Sequence, residues 1–341
     1  MGRMENLRST PVLDRAVALL HAGELVGIPT ETVYGLAADA SNPGAVARLF
    51  ECKRRAWFHP ISLLCDSAKT AFHLVAEVPE SAARVAQRFW PGPLTLILRK
   101  RPEAVPDLLT AGLPFVGVRV PDHPLALALL ERFGRPLAVT SANRSGHLSA
   151  TTAEAVEAEF RDEVPLVLDG GRCCVGVEST VLFLADPRPV LIRSGGTPLD
   201  LLEEVVGPID RETDFRSDTR RLGRHYVLRT PFSLIRTPEE IPASARKDAG
   251  LLAWGPCPEG FAICRSLSAL FRLEEAAANL FGYLRELDEC GLRRIYAMLL
   301  PERGLGCAVN ERLRKAAEAS ATAGLGAGDY ASNPSSPPSS S

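Results

Sequence analysis

The chain has 341 residues, more than the ~100–200 of one ordinary domain, so two domains with separate cores are expected. Its 46% hydrophobic and 23% charged residues exclude a largely disordered chain, and 39 basic against 41 acidic side chains (net -2) exclude a whole-surface electrostatic grip on nucleic acid. No apolar run approaches the ~18 residues of a membrane span and the start MGRMENLRST has no secretory core, so a cytoplasmic protein without a membrane partner is expected.

Thr10 and Pro11 supply an N-cap and a first-turn proline, and Val12, Ala16, Leu19 and Leu20 then share a helical face that ends at Gly23. Residues 25–28 read as a strand from which the hydroxyl-rich loop Pro29-Thr30-Glu31-Thr32 emerges, ahead of Tyr34-Gly35. Asn42-Pro43 starts a helix carrying Val46, Leu49 and Phe50, followed by a strand at 61–65 and a short helix capped by Asp66. Pro79 opens another helix, which stops before Trp90-Pro91-Gly92-Pro93. Strands at 94–99, 115–119 and 137–140, a helix at 124–133, and strands at 165–168, 179–184 and 189–193 complete an α/β unit with one large mixed sheet.

After a short helix near 198–205 the chain turns polar, with Arg211, Arg216, Arg220, Arg221, Arg224 and Arg229 in a stretch that reads as a linker. A smaller α/β unit follows, with strands near 250–254 and 260–264, a helix at 273–288, a strand at 294–299 and a last helix around 308–319. The expected division is 8–206, a linker at 207–231, a second domain at 232–320, and a Ser, Pro, Gly and Ala-rich tail at 321–341 that buries too little to order itself. The eight cysteines lack CxxC or Cys/His metal-ligand spacing and read as buried thiols, the adjacent Cys173 and Cys174 as small packed residues.

Three features bear chemistry. Lys53-Arg54-Arg55 follows a helix end, where cations are stabilised by the dipole and where they also suit a clamp on phosphates. Thr140 to Gly146 follows an apolar strand and reads either as a plain turn or as a set of hydroxyl and amide groups for a nucleotide. Arg119, Ser179-Thr180 and Arg193 sit at strand ends, and with the Thr30 to Thr32 loop they point to one shared cleft. There is no GxxxxGK[ST] and no Gly-x-Ser-x-Gly, and no two histidines stand at i, i+4, so a P-loop, serine hydrolysis and a protein-ligated catalytic metal are not expected.

The ordered set Pro29-Thr30-Glu31-Thr32-Val33-Tyr34-Gly35, Lys53-x-Arg55, Trp90-Pro91-Gly92-Pro93-Leu94-Thr95, Arg119-x-Pro121, Ser141-Ala142-Asn143 and Ser179-Thr180-Val181 resembles the YrdC-like threonylcarbamoyl-AMP synthases over about 11–200. The second domain and the Gly304-Leu305-Gly306-x-Ala308-x-Asn310-x-Arg312 pattern resemble the long form of that family. The resemblance implies a YrdC-like fold with a large mixed twisted sheet, a Rossmann-like C-terminal α/β domain and a linker crossing the active site.

It also implies condensation of L-threonine, bicarbonate and ATP with Mg2+, releasing pyrophosphate and feeding a threonylcarbamoyl transferase complex that modifies tRNA. By position, Lys53 and Arg55 would be catalytic. Arg55, His59, Ser141, Asn143, Ser149, Arg193 and Tyr226 would hold ATP, and Thr32, Arg119 and Ser179 would hold threonine. Lys53→Ala is expected to abolish pyrophosphate release with little loss of stability. Ala56 replaces the motif's usual proline, Leu64 stands where histidine is usual, and Val227-Leu228 replaces Ala-Pro after Arg224-His225-Tyr226. An alternative, an RNA- or nucleotide-binding protein of the same fold without synthase activity, draws on the linker arginines as a weak RNA contact. A third, a carbamoyltransferase, would call for zinc-binding or acylphosphatase-like parts that the sequence lacks.

Overall fold

Two sheets organise the computed structural model, which describes residues 11–211 and 226–325. The larger has nine strands in the order β1-β2-β6-β3-β5-β4-β7-β8-β9 and is mixed. Its strands are β1 (Val26–Ile28), β2 (Gly35–Asp39), β3 (Ser62–Leu64), β4 (Leu94–Arg99), β5 (Phe115–Arg119), β6 (Leu137–Ser141), β7 (Thr180–Phe183), β8 (Val190–Arg193) and β9 (Asp210–Arg211). The pairs β3·β5, β4·β7 and β8·β9 are parallel and the rest antiparallel. The smaller sheet, β10 (Phe232–Ile235), β11 (Ala249–Trp254), β12 (Ile263–Ser268) and β13 (Arg294–Met298), runs β10-β13-β11-β12 and is parallel throughout. The α/β expectation of a large mixed sheet with a smaller Rossmann-like unit therefore holds.

Helix α1 (Pro11–His21) buries Leu13, Ala16 and Leu20, the i, i+3, i+7 stripe, while Val12 points outward. α2 (Pro43–Cys52) starts where Asn42 Oδ1 accepts from the Gly44 and Ala45 amides, and it buries Val46, Leu49 and Phe50. Its end delivers Lys53 to the sheet. The remaining helices of this half are α3 (Ala68–His73), α4 (Glu80–Phe89), α5 (Asp107–Thr110), α6 (Pro124–Phe133), α7 (Ala153–Phe160) and α8 (Leu199–Val206). The second half adds α9 (Ala243–Arg246), α10 (Leu273–Glu289) and α11 (Leu305–Leu325).

Several expectations are corrected. Residues 165–168 form no strand; Gly27 and Val167 share one isolated bridge at the edge of β1. The buried strand β2 is built from Gly, Leu, Ala and Asp, residues of low strand propensity that burial on both faces overrides. Helix α7 was also not foreseen, although Thr152 Oγ1 caps it by accepting from the Ala155 amide. α3 is capped by Ser67 rather than Asp66. β12 begins three residues beyond the expected start because Gly260, at φ +95°, turns the chain first.

The last helix spans Leu305–Leu325, so residues 321–325 are helical rather than disordered; the rest of the expected tail lies outside the described residues. Asp210–Arg211 pair with β8, extending the large sheet into the expected linker, of which 212–225 lie outside the described residues. Cysteine burial also differs, because Cys174 and Cys290 are exposed and Cys257 is bonded to Cys264 across 5.8 Å between Cα atoms.

Helices α10 and α11 pack on the first half. Val33, Leu148 and Val177 share an apolar cluster with Ala276, Ala277, Leu280 and Phe281 of α10. At Gly176 (φ +74°) a Cβ would stand 2.4 Å from Ala278 Cα, so glycine permits this contact. Arg172 adds hydrogen bonds to Ala278 O and Asn279 Oδ1.

Candidate functional site

One face of the large sheet forms the floor of a cleft of about 720 Å³, with Gly35, Ser62, Leu64, Thr95, Val139 and Val181 across β2, β3, β4, β6 and β7. All eleven residues singled out from the sequence line it: Thr32, Lys53, Arg55, His59, Arg119, Ser141, Asn143, Ser149, Ser179, Arg193 and Tyr226. Strand pairing explains part of this convergence. Ser141 ends β6 opposite Gly35, where an added Cβ would lie 2.5 Å from Val139, and Leu64 is in register with Arg119.

Arg119 is buried and held on three sides. Its Nε donates to Gly92 O at 3.1 Å, and its Nη2 donates to Glu31 Oε1 at 2.7 Å and Thr32 Oγ1 at 3.0 Å. The Trp90-Pro91 bond is cis; Trp90 Nε1 donates to Leu94 O, and Gly92 of the same motif supplies the carbonyl that seats Arg119. Thr30 and Thr32 hydroxyls lie 2.8 Å apart, and Thr30 also donates to Val33 O. Glu31 Oε2 is a buried acceptor without a hydrogen-bond partner. Beside this group, the hydroxyls of Ser179 and Thr95 lie 2.8 Å apart, and Arg193 donates to Ser179 O at 2.8 Å and Ser179 Oγ at 3.1 Å. Gly195 makes that approach feasible, since a Cβ there would lie 2.3 Å from the Ser179 carbonyl carbon.

The cationic side is built from the end of α2. Lys53 is 2% exposed, and its ammonium donates to Ser141 O and Asn143 O, tying the two motifs together. Burial, with Arg55 nearby, pulls its pKa down from 10.5 to about 7. A residue so buried contributes to packing as well, so its removal is expected to cost stability in addition to activity. Arg55 donates to His59 O (3.3 Å) and Pro60 O (2.9 Å), so it fixes the loop carrying His59. Burial and the neighbouring Arg193 lower its pKa to about 10, which leaves it cationic at neutral pH. Asn143 Nδ2 donates to Arg144 O and His147 O, while its Oδ1 is a buried acceptor without a partner.

Two lining residues were missed by the sequence reading. Glu178 accepts from Ser149 Oγ at 2.6 Å and Tyr226 OH at 3.1 Å. Burial alone would raise its pKa, but Arg312, Arg193 and the Ser149 hydrogen bond hold it down at about 2, a permanent carboxylate. Lys315, on α11, brings a cation from the second half and pairs with Glu311. It lies three residues, about one helical turn, beyond Arg312, whose place in the Gly304 to Arg312 pattern was the available signal.

Comparisons with known proteins point to one family. Residues 18–195 match the family described as "Telomere recombination", and residues 202–318 match "Threonylcarbamoyl-AMP synthase, C-terminal domain". The threonylcarbamoyl-AMP synthase of Pyrococcus abyssi is 39% identical over 321 residues, 88% of this chain and 92% of that protein. That of Bacillus subtilis is 37% identical over 322 residues, 90% and 93% of the two chains. A crystal structure of P. abyssi Sua5 complexed with L-threonine superposes with a TM-score of 0.83 at 37% identity, covering 90% of this chain and 94% of that one.

Proposed function

The chain belongs to the threonylcarbamoyl-AMP synthase family, and on that premise we propose that its cleft condenses L-threonine, bicarbonate or CO2, and ATP into threonylcarbamoyl-AMP and pyrophosphate. The observation that carries this reading is the contact of Arg193 with Ser179, which makes the candidate nucleotide residues contiguous with the candidate threonine residues in one cleft.

Arg119, Thr32 and Ser179 hold threonine. Arg119 already spends Nε and Nη2 on the protein, so Nη1 is the nitrogen that meets the substrate carboxylate, a charged hydrogen bond of ~1.5–3 kcal/mol. Ser141, Asn143, Ser149, His59, Arg193 and Tyr226 hold ATP, and Lys53 and Arg55 face its phosphates. The free threonine amine attacks CO2 and releases a proton, or attacks bicarbonate with loss of water, to give a carbamate, and a carbamate oxygen then attacks the α-phosphorus. The P–O bond to the β-phosphate breaks, and its electron pair leaves with pyrophosphate. No protein nucleophile takes part; the residues supply positioning and positive charge as the leaving group forms.

Among the described residues no three His, Cys, Asp or Glu side chains are grouped to hold a metal ion, and Glu178 is engaged by Arg312, Ser149 and Tyr226. We assign Mg2+ to the ATP phosphates, as part of the substrate.

The product is handed to the transferase complex that modifies tRNA. A cytoplasmic setting suits that partner, and among the described residues no helix is long and apolar enough to cross a membrane. The test is pyrophosphate release from Mg·ATP with L-threonine and bicarbonate added and omitted in turn. Release that needs both is expected, and release that needs neither overturns the reading.

A further inference from the structure

We propose that Arg312, carried by α11 of the second domain, is a positioning residue that sets the nucleotide side of the cleft by neutralising and orienting Glu178; the inference rests on the ATP-binding reading above. Arg312 is 1% exposed, yet its guanidinium reaches out of its own domain to Glu178 and Ser194. Nε donates to Glu178 Oε2 at 2.9 Å, Nη2 lies 2.9 Å from the same oxygen, and Nη1 donates to Ser194 O at 2.5 Å, next to Arg193.

Glu178 is not the end of this chain of contacts. Its other oxygen accepts from Ser149 and Tyr226, and both line the cleft. Ser149 is also held directly from the second domain, because Arg285 of α10 donates to its carbonyl at 3.3 Å. A neighbouring α11 carboxylate, Glu311, accepts from the Ser194 amide at 3.2 Å and fixes the same turn.

The charge pattern explains why the carboxylate needs a partner. Among the described residues lining the cleft, Glu178 is the one carboxylate, facing Lys53, Arg54, Arg55, Arg119, Arg193 and Lys315. Unpaired, it would repel the phosphates from within a low-dielectric wall and compete with them for Arg193. Paired with Arg312, it serves as an anchor for two hydroxyls while the cations remain available to ATP. The second domain thus takes part in nucleotide binding through a residue that itself touches no substrate.

The test uses the full chain and the variants R312M, E178Q and R312M/E178Q, with calorimetric titration of Mg·ATP and, separately, of L-threonine, steady-state kinetics and thermal unfolding. R312M should raise the Kd and KM for ATP by about tenfold or more, with the threonine Kd changed by less than about twofold. Adding E178Q should recover most of the ATP affinity, because the uncompensated charge is gone. A folded R312M with unaltered ATP affinity overturns the proposal. Equal weakening of both ligands without rescue by E178Q overturns it too, by reducing the pair to a structural tie. Should R312M not fold, R312Q, which removes the charge but keeps a polar donor, must show the same selective loss of ATP affinity, or the proposal fails, while R312K, which keeps the charge, should retain most of it. Failure of the synthase reading looks different: the wild-type chain would bind Mg·ATP, and lose it in R312M, yet release no threonine-dependent pyrophosphate.

Discussion

Lys53→Met is the substitution that separates the two roles of the buried ammonium. Methionine keeps most of the stem's volume and removes Nζ, so the carbonyls of Ser141 and Asn143 lose their donor. An unmet buried acceptor costs ~1–3 kcal/mol, and the loss is partly offset because the charge at Lys53 is no longer desolvated. A net destabilisation of about 1–3 kcal/mol follows, which for a domain of this size lowers Tm by roughly 2–10 °C. The effect on chemistry is larger. Removing one preorganised donor that meets charge formed in the transition state costs ~10²–10³ in kcat. Pyrophosphate release dependent on threonine and bicarbonate, measured beside a thermal melt, reads both. Wild-type turnover in a folded K53M protein would refute the clamp; an unchanged Tm would refute the claim that Lys53 ties the two motifs together.

The same lysine predicts a proton linkage. Its folded pKa, about 7, lies below the ordinary 10.5, so between these values the folded chain holds fewer protons than the unfolded one. The penalty for burying the charge is then fully present below pH 7 and is relieved as pH rises towards 10.5. Phosphates brought near Lys53 raise its pKa, so at pH 8 Mg·ATP binding should take up protons, seen as heats that vary with buffer ionisation enthalpy; buffer-independent heats would contradict this. Arg119→Lys, which cannot serve Gly92, Glu31 and Thr32 together, should raise the threonine KM by about 10- to 100-fold with much less effect on ATP, and equal changes in both would argue against the assignment. Chelation of Mg2+ should stop pyrophosphate release and leave the melt of the ligand-free chain unmoved, since no protein ligand is assigned; a fall in Tm would reveal a resident metal.

The strand-end motifs were legible because they sit where apolar runs stop, and those stops are visible in a sequence. Helix α6 and strands β4 and β5 were likewise found at their observed bounds, from proline, glycine and apolar punctuation. β2 was not, because Gly35, Ala37, Ala38 and Asp39 carry no strand signal of their own and owe their conformation to β1 and β6 on either side. Glu178 and Arg312 were hidden for a related reason. They stand 134 positions apart, and neither is conspicuous until the packing of α11 brings them together. The Cys257 to Cys264 pair was also missed, because a spacing of seven says nothing of whether two thiols face one another.

Leu64 places an apolar residue in the proposed threonine site. It is 4% exposed on the cleft floor and in register with Arg119, so the proposed threonine side has an aliphatic wall beside its cation. Such a wall accepts a methyl group but discriminates poorly between isosteres that differ by a hydroxyl, by ~10² at most. Telling threonine from valine therefore falls to hydroxyls that would be left unpaired by the wrong substrate. Thr32, held by Arg119, and Ser179, held by Thr95 and Arg193, are the two placed for it, and the fixed partners of each limit how far either can turn to satisfy itself without the substrate's oxygen.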